Sequence, residues 1–119
     1  LILVDTSIWV DYIRAANDEL RQLLQQSLVL CHPFIIGELA LGALPDRTVW
    51  LRNLGRLPSA KAVRHDEVMS MIEISRLAGR GIGYVDAHLL ASARLSGSRL
   101  WTRDRRLAGL ATNLGIPSR

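Results

Sequence analysis

The chain has 119 residues and a formal net charge of +4, a length that suits one domain. Apolar residues make up 49% of it, which excludes a disordered tail, and no apolar run approaches the roughly 20 residues of a membrane-spanning helix. The single cysteine, Cys31, excludes an internal disulfide and suits a reducing cytoplasm. Of the 15 basic residues all but Lys61 are Arg. The guanidinium fork matches phosphate, so the charge balance points to a nucleic-acid partner; the alternative is a genome that favours Arg codons.

Leu1-Ile2-Leu3-Val4 reads as a short buried strand, too short and without the basic flank of a signal peptide. Asp5 stands where that strand must end. A carboxylate there costs several kcal/mol unless something pairs with it. The pattern then turns helical, with Ile8, Trp9, Tyr12 and Ile13 on one face and Thr6 or Ser7 as the cap. Asn17 caps a second helix with a stripe of Leu20, Leu23, Leu24 and Leu28. A second strand covers Leu28 to Cys31. Pro33 opens a third helix, which carries one charge, Glu38, and is expected to run to Pro45. Asp46 is expected to cap a fourth helix that ends at Gly55, followed by a loop or extended link over 56–64. Asp66 and Glu67 open a fifth helix, closed by Gly79 and Gly81. Its Met69 and Ile74 lie off the main stripe, in a dimer contact or in deep burial. A sixth, over about Val85 to Ser96, is rich in small residues that allow close packing. Arg99 to Thr102 form a third strand and Asp104 to about Leu114 a last helix, with Gly115-Ile116 as a possible short strand. Strands alternating with helices predict a parallel sheet covered on both faces, a three-layer α/β/α sandwich in a single domain over 1–119. Ligands in such folds bind beyond the carboxyl ends of the strands, where Asp5 and Asp104 both fall.

Seven of the 11 acids have ordinary explanations. Asp18, Glu19, Asp46, Asp66 and Glu67 lie at helix starts, and Asp11 with Arg14 and Glu73 with Arg76 have i,i+3 spacing. Asp5, Glu38, Asp86 and Asp104 remain. Each taken alone has a local alternative: an Arg partner for Asp104, a cap for Asp86, a snorkelling position for Glu38. Taken together they read as one cluster. Four converging carboxylates repel and raise one another's pKa, and a hard divalent cation removes that conflict. Mg²⁺ or Mn²⁺ there could hold a phosphodiester oxygen and activate water. Arg94, Arg99, Arg103, Arg105 and Arg106 would form a phosphate-binding rim for the substrate backbone. If the third strand persists through Asp104, Thr102 shares its face and its hydroxyl could orient a carboxylate from behind; the alternative is an ordinary β-branched strand residue. Asp5→Asn is expected to remove cleavage and leave unfolding unchanged or slightly improved, through relief of repulsion.

At these residues the sequence resembles the PIN-domain ribonucleases, in particular the toxins of VapBC-type toxin–antitoxin pairs. The matching pieces are Leu3-Val4-Asp5-Thr6-Ser7, Gly37-Glu38-Leu39, Tyr84-Val85-Asp86-Ala87-His88 and Trp101-Thr102-Arg103-Asp104. The resemblance implies a PIN-like, Rossmann-like fold and a Mg²⁺- or Mn²⁺-dependent endoribonuclease. Asp5, Glu38, Asp86 and Asp104 take the places of the catalytic, metal-holding acids. Thr102 matches the hydroxyl just before the last acid, and Thr6 the polar residue after the first. It further implies cleavage by metal-activated water to 5′-phosphate and 3′-hydroxyl ends, in a tRNA or ribosomal RNA, halting translation. A VapB-type antitoxin would cover the site with an extended or helical arm, and a homodimer is expected.

Three other readings fare worse. A phosphoacceptor receiver domain needs a second acid beside Asp5 and a lysine near the last strand, whereas the only lysine is Lys61. A haloacid-dehalogenase-like phosphatase needs an acid where Ser7 stands. A non-catalytic RNA- or partner-binding module leaves the intact acidic quartet without a purpose, and few aromatic residues are present for base stacking. His32, His65 and His88 lack zinc spacing. On a helix His88 points roughly 200° away from Asp86 and reads as structural. Trp9, Trp50 and Trp101 read as core or interface residues.

Overall fold

The computed structural model describes all residues, 1–119. Three parallel strands, β1 (Ile2–Val4), β2 (Val29–Leu30) and β3 (Arg99–Trp101), form a sheet in the order β2-β1-β3. The register pairs Ile2 with Val29 and with Arg99, and Val4 with Trp101. Leu3 and Val4 point to opposite faces and neither is exposed to solvent, so both faces of the central strand are covered. The helices are α1 (Thr6–Ala15), α2 (Asp18–Gln25), α3 (Pro33–Leu41), α4 (Arg47–Gly55), α5 (His65–Ile74), α6 (Tyr84–Ser96) and α7 (Arg105–Asn113). No helix is long and apolar enough to cross a membrane.

The small-residue helix behaves as its composition requires. In α6, Ala87 to Ala93 are all buried, because alanine and serine let the backbone approach the sheet. Gly97, with φ +63°, ends α6 in the left-handed conformation, and the chain turns directly into β3. Trp9, only 1% exposed, meets Tyr12 edge-on, and Tyr12 meets Trp50 in the same way.

Several local expectations change. The cap of α1 is Asp5 itself, which accepts the Thr6 N–H, rather than Thr6 or Ser7. Helix α3 stops at Leu41, before Pro45, since Gly42 leaves the helical region. Asp46 does not cap α4: it sits at φ +45° with no side-chain bond to the helix. Asp11 pairs with Arg103 across the fold rather than with Arg14. Glu73 makes no ion pair with Arg76, which lies beyond the end of α5 at φ +54°. Gly115-Ile116 form no strand; a single bridge joins Leu100 to Ser118 instead. Met69 and Ile74 are 42% and 82% exposed, which rules out deep burial.

The histidines, too far apart in sequence to suggest a group, gather around Phe34 and Tyr84. His88 lies edge-on to both rings and 6.4 Å from His32, while His65 Nδ1 contacts the Tyr84 hydroxyl. His32 is buried and accepts the Phe34 N–H on Nδ1. Its Nε2 therefore carries the proton that faces Ser92 Oγ, 3.2 Å away, and a second proton would break the cap of α3. Burial pushes the pKa of His32 down, with the neighbouring His88 adding to it; burial and His65 do the same to His88. A lowered folded pKa means that the unfolded chain takes up protons first. This stabilisation is complete above the unfolded value of about 6.5 and is lost as the pH falls below it. The urea midpoint is accordingly expected to be lower at pH 5.5 than at pH 7.5, with the slope of the transition unchanged.

Candidate active site

The site forms at the carboxyl edge of the sheet because three separate chain segments end there. The hydrogen bond from Asp5 N–H to the Trp101 carbonyl (2.9 Å) continues the β1–β3 ladder to the first residue of the site. Asp5 is 7% exposed. Its Oδ1 accepts the Thr6 N–H at 2.7 Å, and its Oδ2 accepts two hydroxyls, Ser7 at 3.0 Å and Thr102 at 2.7 Å. Asp104 caps α7, with Oδ1 accepting the N–H groups of Arg106 (2.9 Å) and Leu107 (3.2 Å). The third strand does not persist to Asp104, contrary to the condition set for Thr102. Its hydroxyl reaches Asp5 from the strand's end and in turn accepts the Asp104 N–H at 3.1 Å.

Glu38 comes from the second turn of α3, which packs against α1; its Oε1 accepts the Thr6 hydroxyl at 2.6 Å. Asp86 stands in the first turn of α6, where Oδ2 accepts the Gly83 N–H at 3.1 Å. The cap considered for Asp86 is therefore physically present, whereas the Arg partner considered for Asp104 is not and that residue caps α7 instead; each cap occupies only one oxygen. Asp86 Oδ1, Asp104 Oδ2 and Glu38 Oε2 have no protein donor.

The electrostatics bring all four acids into one field. Burial raises the pKa of Asp86 above the ordinary carboxylate value, the Gly83 N–H opposes this, and the charges of Asp5, Asp104 and Glu38 raise it further. As they stand, no three His, Cys, Asp or Glu side chains are drawn together tightly enough to cage an ion. Like charges facing one another repel; cap bonds hold Asp5, Asp86 and Asp104, and the Thr6 hydroxyl holds Glu38. The donor set nonetheless fits a hard divalent cation: it offers only carboxylate oxygens, which suit Mg²⁺ or Mn²⁺, and Mg²⁺ keeps several waters of its own.

The arginines divide. Arg105 opens α7 and is exposed. The side chain of Arg106 lies across Gly81, where a Cβ would meet its guanidinium at 2.5 Å; Gly81 has φ +82°. Arg103 forms an ion pair with Asp11, without a well-directed hydrogen bond. Arg94 lies eight residues along α6 from Asp86, about 12 Å away by helix rise, beside Glu67 and Met71. Arg99 pairs in register with Ile2, at the opposite end of the sheet, and donates to the Ser118 carbonyl. Of the five arginines expected to form a rim, Arg94 and Arg99 thus lie away from the carboxyl edge, while Arg103, Arg105 and Arg106 flank Asp104 in the chain. Between α1 and α3 runs an apolar groove of about 500 Å³, lined by Val10, Ile13, Leu39 and the 42–45 turn, with Arg14 and Glu38 on its walls.

The PIN domain family model matches residues 2–113. The chain belongs to the PIN-domain family. Ribonuclease VapC32 of Mycobacterium tuberculosis is 47% identical to this PIN domain over 117 residues, covering 98% of this chain and 94% of that protein. Ribonuclease VapC11 of the same organism is 32% identical, covering 87% of each chain. Among solved structures, FitAcB from Neisseria gonorrhoeae superposes with a TM-score of 0.66 at 17% identity, covering 99% of this chain and 96% of that one. PAE2754 from Pyrobaculum aerophilum gives 0.64 at 19% identity, covering 98% and 82%. These likenesses establish the PIN fold, an α/β architecture around a small parallel sheet.

The residue that sequence reasoning missed is Ser7. The sequence offers it a role only as a cap, yet it neither caps α1 nor stands apart from the acids: besides donating to Asp5, its Oγ accepts the Arg103 N–H at 3.3 Å and so joins Asp5 to the Asp104 loop. The available signal was its position in the first turn of a helix whose cap is a carboxylate, which lets a short hydroxyl turn back to that carboxylate.

Proposed function

We propose that this PIN domain is a Mg²⁺- or Mn²⁺-dependent endoribonuclease, the toxin of a VapBC-type pair, acting on a structured RNA such as a tRNA or ribosomal RNA loop. The observation that carries this reading is the run of hydrogen bonds that links Glu38 through Thr6 to Asp5 and Asp5 through Thr102 to the Asp104 backbone, with Asp86 close enough for the charges of all three to raise its pKa. The names of the VapC ribonuclease relatives support it independently. Asp5, Glu38, Asp86 and Asp104 would hold the cation, with Thr6 and Thr102 fixing Glu38 and Asp5 from behind. A divalent cation held there supplies Lewis acidity, polarising a phosphoryl oxygen and acidifying water. The protein's own part is to orient the carboxylates, exclude bulk water at the buried Asp5 and seat the phosphate backbone. No side-chain nucleophile is required, and the expected ends are 5′-phosphate and 3′-hydroxyl.

Arg105 and Arg106 are the strongest candidates to meet RNA phosphates, since neither has a carboxylate partner, while Arg103 is offset by Asp11. Arg105→Ala or Arg106→Ala is expected to weaken RNA binding and lower the slope of log K against log salt by about 1 each. Arg103→Ala should change that slope less. Equilibrium binding at several salt concentrations checks the order.

The apolar groove between α1 and α3 suits the arm of a VapB-type antitoxin, because it runs to Glu38 and an occupant would cover the acids. The exposed Met69 and Ile74 on α5 suit a homodimer contact. The deciding experiment maps the 5′ ends of cellular RNA after induction of the protein, then repeats the cut in vitro with EDTA and with Mn²⁺ restored. A few sharp ends that vanish with EDTA are expected. Cleavage indifferent to the chelator would overturn the reading.

A further inference from the structure

We propose that Ser7 is a positioning residue for this site, holding the Asp5 carboxylate and the loop that carries Asp104 in register; the inference rests on the cation-site reading above. Two hydroxyls reach the same oxygen of Asp5. Ser7 Oγ lies 3.0 Å and Thr102 Oγ1 2.7 Å from Oδ2. Each also faces a backbone N–H of the loop that follows β3: Arg103 N at 3.3 Å for Ser7 and Asp104 N at 3.1 Å for Thr102. An amide N–H can only donate, so each hydroxyl accepts there and must send its one proton to the carboxylate. The direction of both relays is therefore fixed as amide, hydroxyl, carboxylate.

This has a geometric consequence for Asp5. An ionised carboxylate offers about four acceptor positions. Here Oδ2 takes two hydroxyls and Oδ1 takes the Thr6 N–H. One position on Oδ1 is left, and the three donors stop the group from rotating to present any other. A cation ligand needs such an aimed, immobile lone pair, and groups that orient ligands from behind are commonly worth 10–100-fold in metal affinity or activity. Ser7 ties together groups 96 residues apart in sequence, the first helix and the peptide just before Asp104. Removing its hydroxyl takes away the protein acceptor of the Arg103 N–H and leaves Asp5 held by two donors, the Thr6 N–H and the Thr102 hydroxyl, with no tie from its carboxylate to the first turn of α1 through Oδ2.

The test measures Mn²⁺ affinity by calorimetry and cleavage kinetics on the same preparations. Ser7→Ala is expected to weaken Mn²⁺ binding about 10–100-fold and to lower kcat by a similar factor with KM for RNA little changed. Ser7→Thr, which keeps the hydroxyl, should restore both. Ser7→Ala combined with Thr102→Ala should lose less than the product of the two single losses, because both hydroxyls act on one oxygen. If wild type binds Mn²⁺ while Ser7→Ala keeps full affinity and kcat, the role of Ser7 is overturned and the cation site stands. The same holds if Ser7→Thr restores neither. Wild type that binds no Mn²⁺ would overturn the cation site itself, and with it this inference.

Discussion

Replacing Asp5 by Asn is expected to reduce RNA cleavage by roughly 10³-fold or more, since a charged cation ligand supplies several kcal/mol of transition-state stabilisation and each 1.36 kcal/mol is tenfold in rate. The expectation for stability changes once the surroundings of Asp5 are known. Relief of repulsion alone predicts an unchanged or slightly firmer fold. Asp5, however, is buried and accepts three hydrogen bonds, from Thr6 N–H, Ser7 and Thr102. An amide cannot receive on both sides. With its oxygen towards the hydroxyls its NH₂ faces the Thr6 N–H. With the oxygen reversed the NH₂ faces two hydroxyls whose protons are already directed at it. Hydrogen bonds to a charged group are worth about 1.5–3 kcal/mol each, so after the gain from lost repulsion a net loss of about 1–2 kcal/mol is expected. Single-turnover cleavage and a urea titration of the same variant check the two parts; near-normal cleavage would remove Asp5 from the chemistry.

Millimolar Mg²⁺ or Mn²⁺ is expected to raise the unfolding midpoint of the wild type. At 100 times the dissociation constant the gain is about 2.7 kcal/mol, or about 10 °C for a chain of this size. Asp86→Asn is expected to behave oppositely. Burial, together with Asp5, Asp104 and Glu38, raises the pKa of the Asp86 carboxyl in the folded state. An acid raised above its unfolded value destabilises the fold fully at pH above the folded pKa, and not at all below the unfolded value of about 3.9. Without added cation, Asp86→Asn should therefore melt higher than wild type at pH 7, with the advantage vanishing near pH 3. With Mn²⁺ the order should reverse, because the variant loses a ligand. Thermal melts at two pH values, with and without Mn²⁺, give all four comparisons. An Asp86→Asn protein that gains as much from Mn²⁺ as wild type does would take Asp86 out of the cation site.

Much of the fold was legible because it is written in local chemistry. Leu3 and Val4 are apolar and adjacent, so the strand had to be buried on both faces. Asn17 and Pro33 mark the starts of α2 and α3 by their own hydrogen-bonding and φ preferences, and the alanines of α6 foretold its close packing. The four acids stood out together rather than singly, since each had a local alternative but the other seven acids were already accounted for by helix starts and i,i+3 spacing. The errors fall where a rule based on residue type and spacing met a competitor it does not see, a distant partner or a different backbone path. Asp11 had Arg14 three residues away, but Arg103 arrives from the other end of the chain. Asp46 looked like a cap by type, yet its backbone turns left-handed after α3 stops early at Gly42.

The residues that could carry the chemistry, and the alternation that yields a parallel sheet, were determined by sequence alone, because burial period and charge isolation are properties of the chain as written. Which arginines lie away from the sheet's carboxyl edge was decided only by the tertiary structure. Parallel register sends Arg99 to the far end of β3, and helix rise carries Arg94 away from Asp86, so proximity in sequence misled. The pairing of Ser7 and Thr102 on a single oxygen of Asp5 was likewise out of reach, since hydrogen bonds of fixed direction exist only once β1 and β3 lie side by side.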